Sequence, residues 1–363
     1  MNDLKQYMNK SIRGIMGKAM RGMLTNPREA RFALRMQLAF ARSERRRREL
    51  SAREGVDVPP FLIASIATTC NLHCKGCYAR QAGIASDSPG RETLTAAQWR
   101  SVMDQAAGMG VNFCLVAGGE PLTRHDVLLQ LAEVEDIIFP VFTNGTMIGA
   151  TYTEFFRSHL NMVPVVSLEG DAAATDERRG RGVYQRAMQS METLRREKLF
   201  FGASITVTTE NMHHVASAEY LGRLHDMGCR LVFYVEYVPT TPGTGHLALN
   251  EEQSAELEQL LAFRGPLAEK MIVLSFPGDE KALGGCLASG RGFFHIGPDG
   301  SAEPCPFSPH SDTNAATDGL LAALRSPLFR RLRDASALGW EHTGGCTLYE
   351  HRDEVEALLN QSA

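Results

Sequence analysis

Long apolar runs are missing from this sequence. The longest, Ile137 to Phe142 and Leu231 to Val235, are strand-sized and fall far short of the roughly 20 residues a helix needs to cross a bilayer. The opening stretch MNDLKQYMNKSIRGIMGK has neither the uninterrupted apolar segment nor the small-residue cleavage site of a secretory signal. A cytoplasmic protein is therefore expected, peripheral at a membrane surface at most. Internal repeats and low-complexity linkers are also lacking, which excludes solenoids and strings of tethered modules. What remains is an ordinary globular composition, 44% hydrophobic and 22% charged over 363 residues, enough for one barrel-sized domain with smaller appendages.

Acidic residues are scarce in one place. Residues 1 to 54 carry 14 Lys/Arg against 5 Asp/Glu and the remainder 24 against 37, so the overall charge of −4 conceals a basic head. That head reads as two helices. Met8, Ile12, Ile15, Met16, Ala19, Met20 and Met23 form an apolar stripe, Asn26-Pro27 interrupts it, and a second helix follows from about Arg28 to Ala52 with Phe32, Met36, Ala39 and Phe40 on one side. Three uses are open to it: a cap packed on the rest of the protein, a surface resting on anionic lipid, or a docking face for an acidic partner. Nucleic acid is not expected, because no stacking aromatics or recognised module accompany the charges.

Beyond Pro59-Pro60 the texture alternates between short β-rich runs and helical ones. Strands are expected at about 61–67, 111–117, 137–142, 163–168, 202–208 and 231–238. Six βα units imply a parallel sheet with crossover helices, an α/β fold in the form of a partial (β/α)6 TIM-like barrel with chemistry at the strand C-termini. After about Leu274 the alternation gives way to a Gly/Pro/Cys-rich stretch with a hairpin signal at Pro298-Asp299-Gly300. The expected division is 1–55 helical extension, 56–275 barrel, and 276–363 small C-terminal domain.

Eight cysteines in a chain of this kind are better read as metal ligands or reactive thiols than as a disulfide framework. Cys114 and Cys229 sit in or beside apolar strands and read as core residues. Cys70-x3-Cys74-x2-Cys77 directly follows the first strand, where a barrel-mouth loop belongs. Three thiolates from one short loop suit three irons of a cubane and leave the fourth open. A zinc knuckle completed by His73 is the alternative.

CNLHCKGCY resembles the cluster loop of the radical S-adenosylmethionine (SAM) superfamily, a CxxxCxxC pattern followed by an aromatic, here Tyr78. The resemblance implies a [4Fe-4S] cluster on Cys70, Cys74 and Cys77, with SAM chelated at the open iron. Reductive cleavage then yields a 5'-deoxyadenosyl radical that takes hydrogen from a substrate. It places Tyr78 near the adenine and Gly118-Gly119-Glu120-Pro121, at the end of the second strand, at the methionyl amine. Thr143 and Asn144 after the third strand and Ser167 and Glu169 after the fourth are candidate ribose and carboxylate contacts. Arg179 is the candidate partner of the methionyl carboxylate, with a solvated Arg178/Arg179 face as the alternative.

Cys286, Gly300 and Cys305, with Cys346 after a long gap, resemble the auxiliary-cluster extensions called SPASM and twitch domains. The central cysteine-rich run is missing, so a shortened, twitch-like domain with a second [4Fe-4S] cluster on those three cysteines is implied. A fourth ligand could come from His295, His310, His342 or Glu303, or the site could stay open. Glu236 and Tyr237, near the end of the sixth strand, face opposite ways and are candidate substrate contacts. The resemblance further implies an electron donor such as flavodoxin or ferredoxin. It leaves the substrate open: a small metabolite or lipid-associated molecule is the leading expectation, with a peptide- or protein-modifying maturase and a non-catalytic iron-sulfur carrier or sensor as alternatives.

Overall fold

The computed structural model describes residues 14, 17, 27–87, 93–262, 267, 269–276, 285–334 and 346–360. The apolar stripe of residues 8 to 23, and His342, lie outside them.

Seven parallel strands follow one another around the sheet: β1 (Phe61–Ala67), β2 (Phe113–Gly118), β3 (Phe139–Thr143), β4 (Met162–Leu168), β5 (Gly202–Val207), β6 (Leu231–Glu236) and β7 (Ile272–Phe276). The six expected βα units are present, and β7 adds a further parallel strand beyond them. On the other side of β1 the sheet continues through β8 (His295–Ile296), parallel to β1, and β9 (Ala302–Glu303), antiparallel to β8. The β8–β9 hairpin turns at Gly300, whose φ of 88° suits glycine.

One face of each strand is sealed by the crossover helices: Cys114, Val116, Val141, Val166, Ala203, Ile205, Val232 and Tyr234 are fully buried in a core shared with Trp99, Val102, Leu128 and Leu194. The other face is only half closed. Leu115, Phe142, Ser167, Thr206, Phe233, Val235, Leu274 and Phe276 all keep partial exposure, so the interior is hollow toward its top, unlike the packed centre of a complete eight-stranded barrel. Its floor is Val163, Val165, Leu231 and Ile272.

The bottom of this hollow is plugged by α1 (Pro27–Glu54), as its expected apolar side requires. Phe32, Ala33, Met36 and Ala39 bury against Phe113, Ile138, Leu160 and Phe200, residues at or just before the starts of β2 to β5. The arginine run is divided in use. Arg47 is buried, its guanidinium donating to the Gly110 carbonyl and Asn112 Oδ1, and Arg46 pairs with Asp136 at 3.2 Å. Arg45 reaches only Glu49 along its own helix. The described part of the basic head is thus a cap on its own barrel. Among the described residues no helix is long and apolar enough to cross a membrane.

Candidate active site

Strand β1 delivers the chain to the cysteine loop at the mouth of the hollow. Cys70, Cys74 and Cys77 are half-buried free thiols. The loop's root is laced to the end of β2, Gly119 N–H donating to the Ala67 carbonyl (2.7 Å) and Glu120 N–H to the Thr69 carbonyl (2.8 Å). A β-carbon on Gly119 would collide with that Thr69 carbonyl, which is why a glycine stands directly after β2. Farther along, Lys75 N–H donates to the Arg178 carbonyl at 2.8 Å. Gly76, at φ +63°, has no room for a side chain because the Tyr237 hydroxyl occupies it. Tyr237 therefore wedges the turn between Cys74 and Cys77 from the end of β6, while its hydroxyl donates to Thr244 Oγ1 at 2.9 Å. Glu236 points the other way, accepting from Ser254 Oγ at 2.8 Å.

Burial pushes the Cys70 thiol up to about 11, with the neighbouring charges of Glu120, Cys74 and Cys77 adding to it against a lowering by the Leu72 N–H. Cys74 is likewise raised by burial but partly offset by Arg179 and Arg178. The three sulfurs thus feel one another, yet among the described residues no group of three His, Cys, Asp or Glu is drawn together around a single-ion centre. Three thiols on one loop are the donor set of a cluster, whose thiolates ligate different irons. His73, the proposed zinc ligand, is occupied by Asp87 at 2.9 Å.

Two buried carboxylates stand beside the loop. Glu120 Oε1 accepts from Thr143 Oγ1 (2.7 Å) and Leu122 N–H (3.1 Å), and Oε2 from Asn144 N–H (2.8 Å). It braces the ends of β2 and β3, with Pro121 opening the single turn that follows. Asn144 in turn donates to Asn71 Oδ1 in the cysteine loop at 2.8 Å. Glu169, just past β4, gathers both arginines on one oxygen: Oε1 lies 2.6 Å from Arg178 Nη1 and 2.6 Å from Arg179 Nη2. Arg178 also reaches Thr206 Oγ1 on β5 at 2.7 Å. The arginines' side chains are only 19% and 11% exposed, so the solvated-face alternative falls. Glu169 Oε2 is buried with no partner among the described residues. A carboxylate with one oxygen fixed by two cations and the other buried without a donor can accept from a ligand hydroxyl. Ser167 faces the hollow one step below, level with Ser204.

The C-terminal cysteines converge as well. The Cys305 thiol is raised well above its ordinary value by burial, by a hydrogen bond with Cys346 and by the proximity of Cys346 and Cys286. Tyr78 joins the two cysteine groups: burial pushes its hydroxyl up, with Cys77 and Cys305 both contributing, and its ring packs 5.1 Å from that of Phe307. Two of the candidate fourth ligands are otherwise engaged. His295 Nδ1 lies 2.6 Å from Glu303 Oε2 and His295 Nε2 lies 2.8 Å from Ser65 Oγ, so neither ring nitrogen is free for a metal.

Three half-buried thiols at the mouth of a partial barrel, with the Glu120 and Glu169 carboxylates beside them, suit the thiolate set of an iron-sulfur cluster. Residues 64–221 match the model of the Radical SAM superfamily. Across those residues the chain carries a radical SAM domain, and the family it resembles there uses a [4Fe-4S] cluster and SAM. It is 32% identical to the pre-heme d1 synthase of Dinoroseobacter shibae over 156 residues, 42% of this chain and 37% of that one. With the AdoMet-dependent heme synthase of Methanosarcina barkeri it shares 26% identity over 325 residues, 81% and 89% of the two chains. In fold it is similar to Streptococcus suis SuiB, solved with its precursor peptide SuiA, at a TM-score of 0.63 and 18% identity over 85% of this chain and 72% of that one.

Proposed function

We propose that this chain cleaves SAM reductively at a cluster on Cys70, Cys74 and Cys77 and abstracts hydrogen from a small, largely apolar metabolite, a tetrapyrrole being the first class to test. The bound cluster and SAM supply the radical; the chain's own residues position and shield it. The observation that carries the reading is Glu169, which holds Arg178 and Arg179 on Oε1 while its Oε2 is buried without a partner among the described residues. In this reading Glu169 holds a ribose hydroxyl and Arg179 is available to the methionyl carboxylate. Glu120 fixes Thr143 and Asn144 beside the methionyl amine.

Support for an apolar substrate comes from the hollow. Its upper wall is Phe142, Phe233, Leu274 and Phe276, with rings of Phe142 and Phe233 5.0 Å apart. The hydroxyls of Ser167, Ser204 and Thr206 are its polar relief, and no uncompensated charge lines these positions on the described strands. The two relatives whose names specify hemes lean the same way. A reduced flavodoxin or ferredoxin is the proposed electron source. Of the basic head, α1 spends its apolar side on the barrel rather than on a membrane.

Anaerobic reconstitution followed by assay of 5'-deoxyadenosine with dithionite tests the reading. Formation in wild type, none in a variant with Cys70, Cys74 and Cys77 all changed to Ala, and stimulation by a porphyrin substrate are expected. A full cluster that binds SAM yet never cleaves it would instead favour an electron carrier. Stimulation by a ribosomal peptide but by no porphyrin would favour a maturase.

A further inference from the structure

The C-terminal cysteines are accompanied by two buried hydroxyls that have no partner among the described residues. Ser289 is 0% exposed and Ser308 is 2% exposed, and among the described residues neither Oγ has a hydrogen-bond partner. Such a group costs free energy unless something absent from the protein satisfies it. Both are tied by backbone to Cys305: Ser308 N–H donates to the Cys305 carbonyl at 3.0 Å, and Ser289 N–H donates to the carbonyl of Pro304, its chain neighbour, at 3.2 Å. Each also stands three residues after a candidate ligand, Ser289 after Cys286 and Ser308 after Cys305.

Ser289 is strained in addition. Its φ is +54°, which among the described residues other than glycine only Lys198 matches. A serine kept where glycine is at ease implies that its side chain is used. Two arginines hold its turn in place: Arg333 Nη1 donates to the Ser289 carbonyl and Arg291 Nη1 to the Cys286 carbonyl, each at 2.7 Å.

We propose that the Ser289 and Ser308 hydroxyls donate hydrogen bonds to the sulfurs of a cluster held by Cys286, Cys305 and Cys346, and that they set its reduction potential. This rests on the auxiliary-cluster assignment. Hydrogen bonds to cluster sulfurs are among the terms that fix such potentials. Donors stabilise the reduced cluster, which carries the extra negative charge, so removing them lowers the potential. The two serines are positioning residues of the metal site and touch no substrate.

The test is an EPR-monitored redox titration of the reconstituted full-length enzyme, following the cluster signal that SAM addition leaves unchanged. Ser289→Gly and Ser308→Ala should each retain wild-type iron content and lower that cluster's potential. A tenfold fall in the reduced-to-oxidised ratio at fixed poise, about 59 mV for one electron, is the expected scale for the double variant. Ser308→Thr keeps the hydroxyl and should restore the wild-type value. Ser289→Gly should melt no lower than wild type, because glycine relieves the positive φ; a shifted potential in a variant that stable is not a folding defect. An unmoved potential in both variants, with the cluster loaded, overturns the proposal and assigns the hydroxyls to buried water. A wild type that assembles only the SAM-responsive cluster overturns the auxiliary-cluster assignment itself.

Discussion

Glu169 shows how much of a site one residue can organise. Its two oxygens are unequal, one saturated by Arg178 and Arg179 and the other bare. Glu169→Gln keeps the shape and removes the charge, leaving two buried guanidinium groups facing a neutral amide. We expect a loss of about 3 kcal/mol of stability, the usual cost of breaking a buried ion pair from one side. SAM affinity should fall at least tenfold, read as weakening of the SAM-induced change in the cluster's EPR spectrum. Unchanged SAM affinity would mean that the free oxygen faces no ligand. The cysteines divide on the same physical ground. Burial raises the Cys229 thiol to about 12 and pushes Cys114 beyond the ordinary range as well. Raised values mean the thiolate is almost absent at pH 8 and grows in only as pH climbs toward the folded pKa. Cys70 and Cys74 are raised by burial too, so access to reagent decides: alkylation of the apo protein at pH 8, read by peptide mass mapping, should label the half-exposed Cys70, Cys74 and Cys77, slowly at Cys70, and spare the fully buried Cys114 and Cys229. These assignments were legible in the sequence because they depend on local spacing and on strand periodicity. Tyr237 was legible only as a strand-end candidate: its true contact, the space left by Gly76, lies 161 positions away in the chain, and no local pattern encodes it.

At the scale of elements, α1 was readable as an amphipathic helix, but its arginine run was not readable residue by residue. Four consecutive arginines point around the whole helix circumference, so only packing decides which one is interior. Arg47 is that one, and burial lowers its guanidinium to about 10. Arg47→Ala would leave the Gly110 carbonyl and the Asn112 side chain without a donor and unlatch the helix from the loop before β2. A destabilisation of about 2 kcal/mol is expected from the lost charged hydrogen bonds. Arg48→Ala, on the exposed side, should stay within about 0.5 kcal/mol of wild type. Urea unfolding of the two variants measures the difference directly; equal effects would mean that α1 is held by its apolar side alone. Strand β7 escaped sequence reading for a related reason. Ile272–Phe276 is one short run at the boundary of the Gly/Pro-rich stretch, and it becomes a strand because β6 offers it an edge to pair with.

On the scale of the whole molecule, the barrel and the C-terminal segment share one sheet. The backbone link between them is brief, two paired residues between β1 and β8, and side chains reinforce it. Ser65 on β1, His295 on β8 and Glu303 on β9 form one buried hydrogen-bonded line, while Phe61 and Phe293 stack 5.1 Å apart beside it. The line joins partners 230 positions apart, so the sequence could supply its residues but not their meeting. If the tie is as firm as this, unfolding the segment must disturb the barrel. Denaturant melts of the reconstituted wild type, followed by cluster absorbance and by far-UV circular dichroism, should then coincide in one transition. His295→Leu leaves the buried Glu303 and Ser65 side chains without their hydrogen-bond partner and should lower both midpoints together, through a stability loss of about 2 kcal/mol. The readouts are independent, because the circular dichroism signal is dominated by barrel helices far from His295. Were the dichroism midpoint to stay at its wild-type value while the cluster bleached early, the C-terminal segment would be a separately folding domain docked on β1. The shared sheet would then be a contact surface, and the distance between the two cysteine groups would be set by docking rather than by the fold.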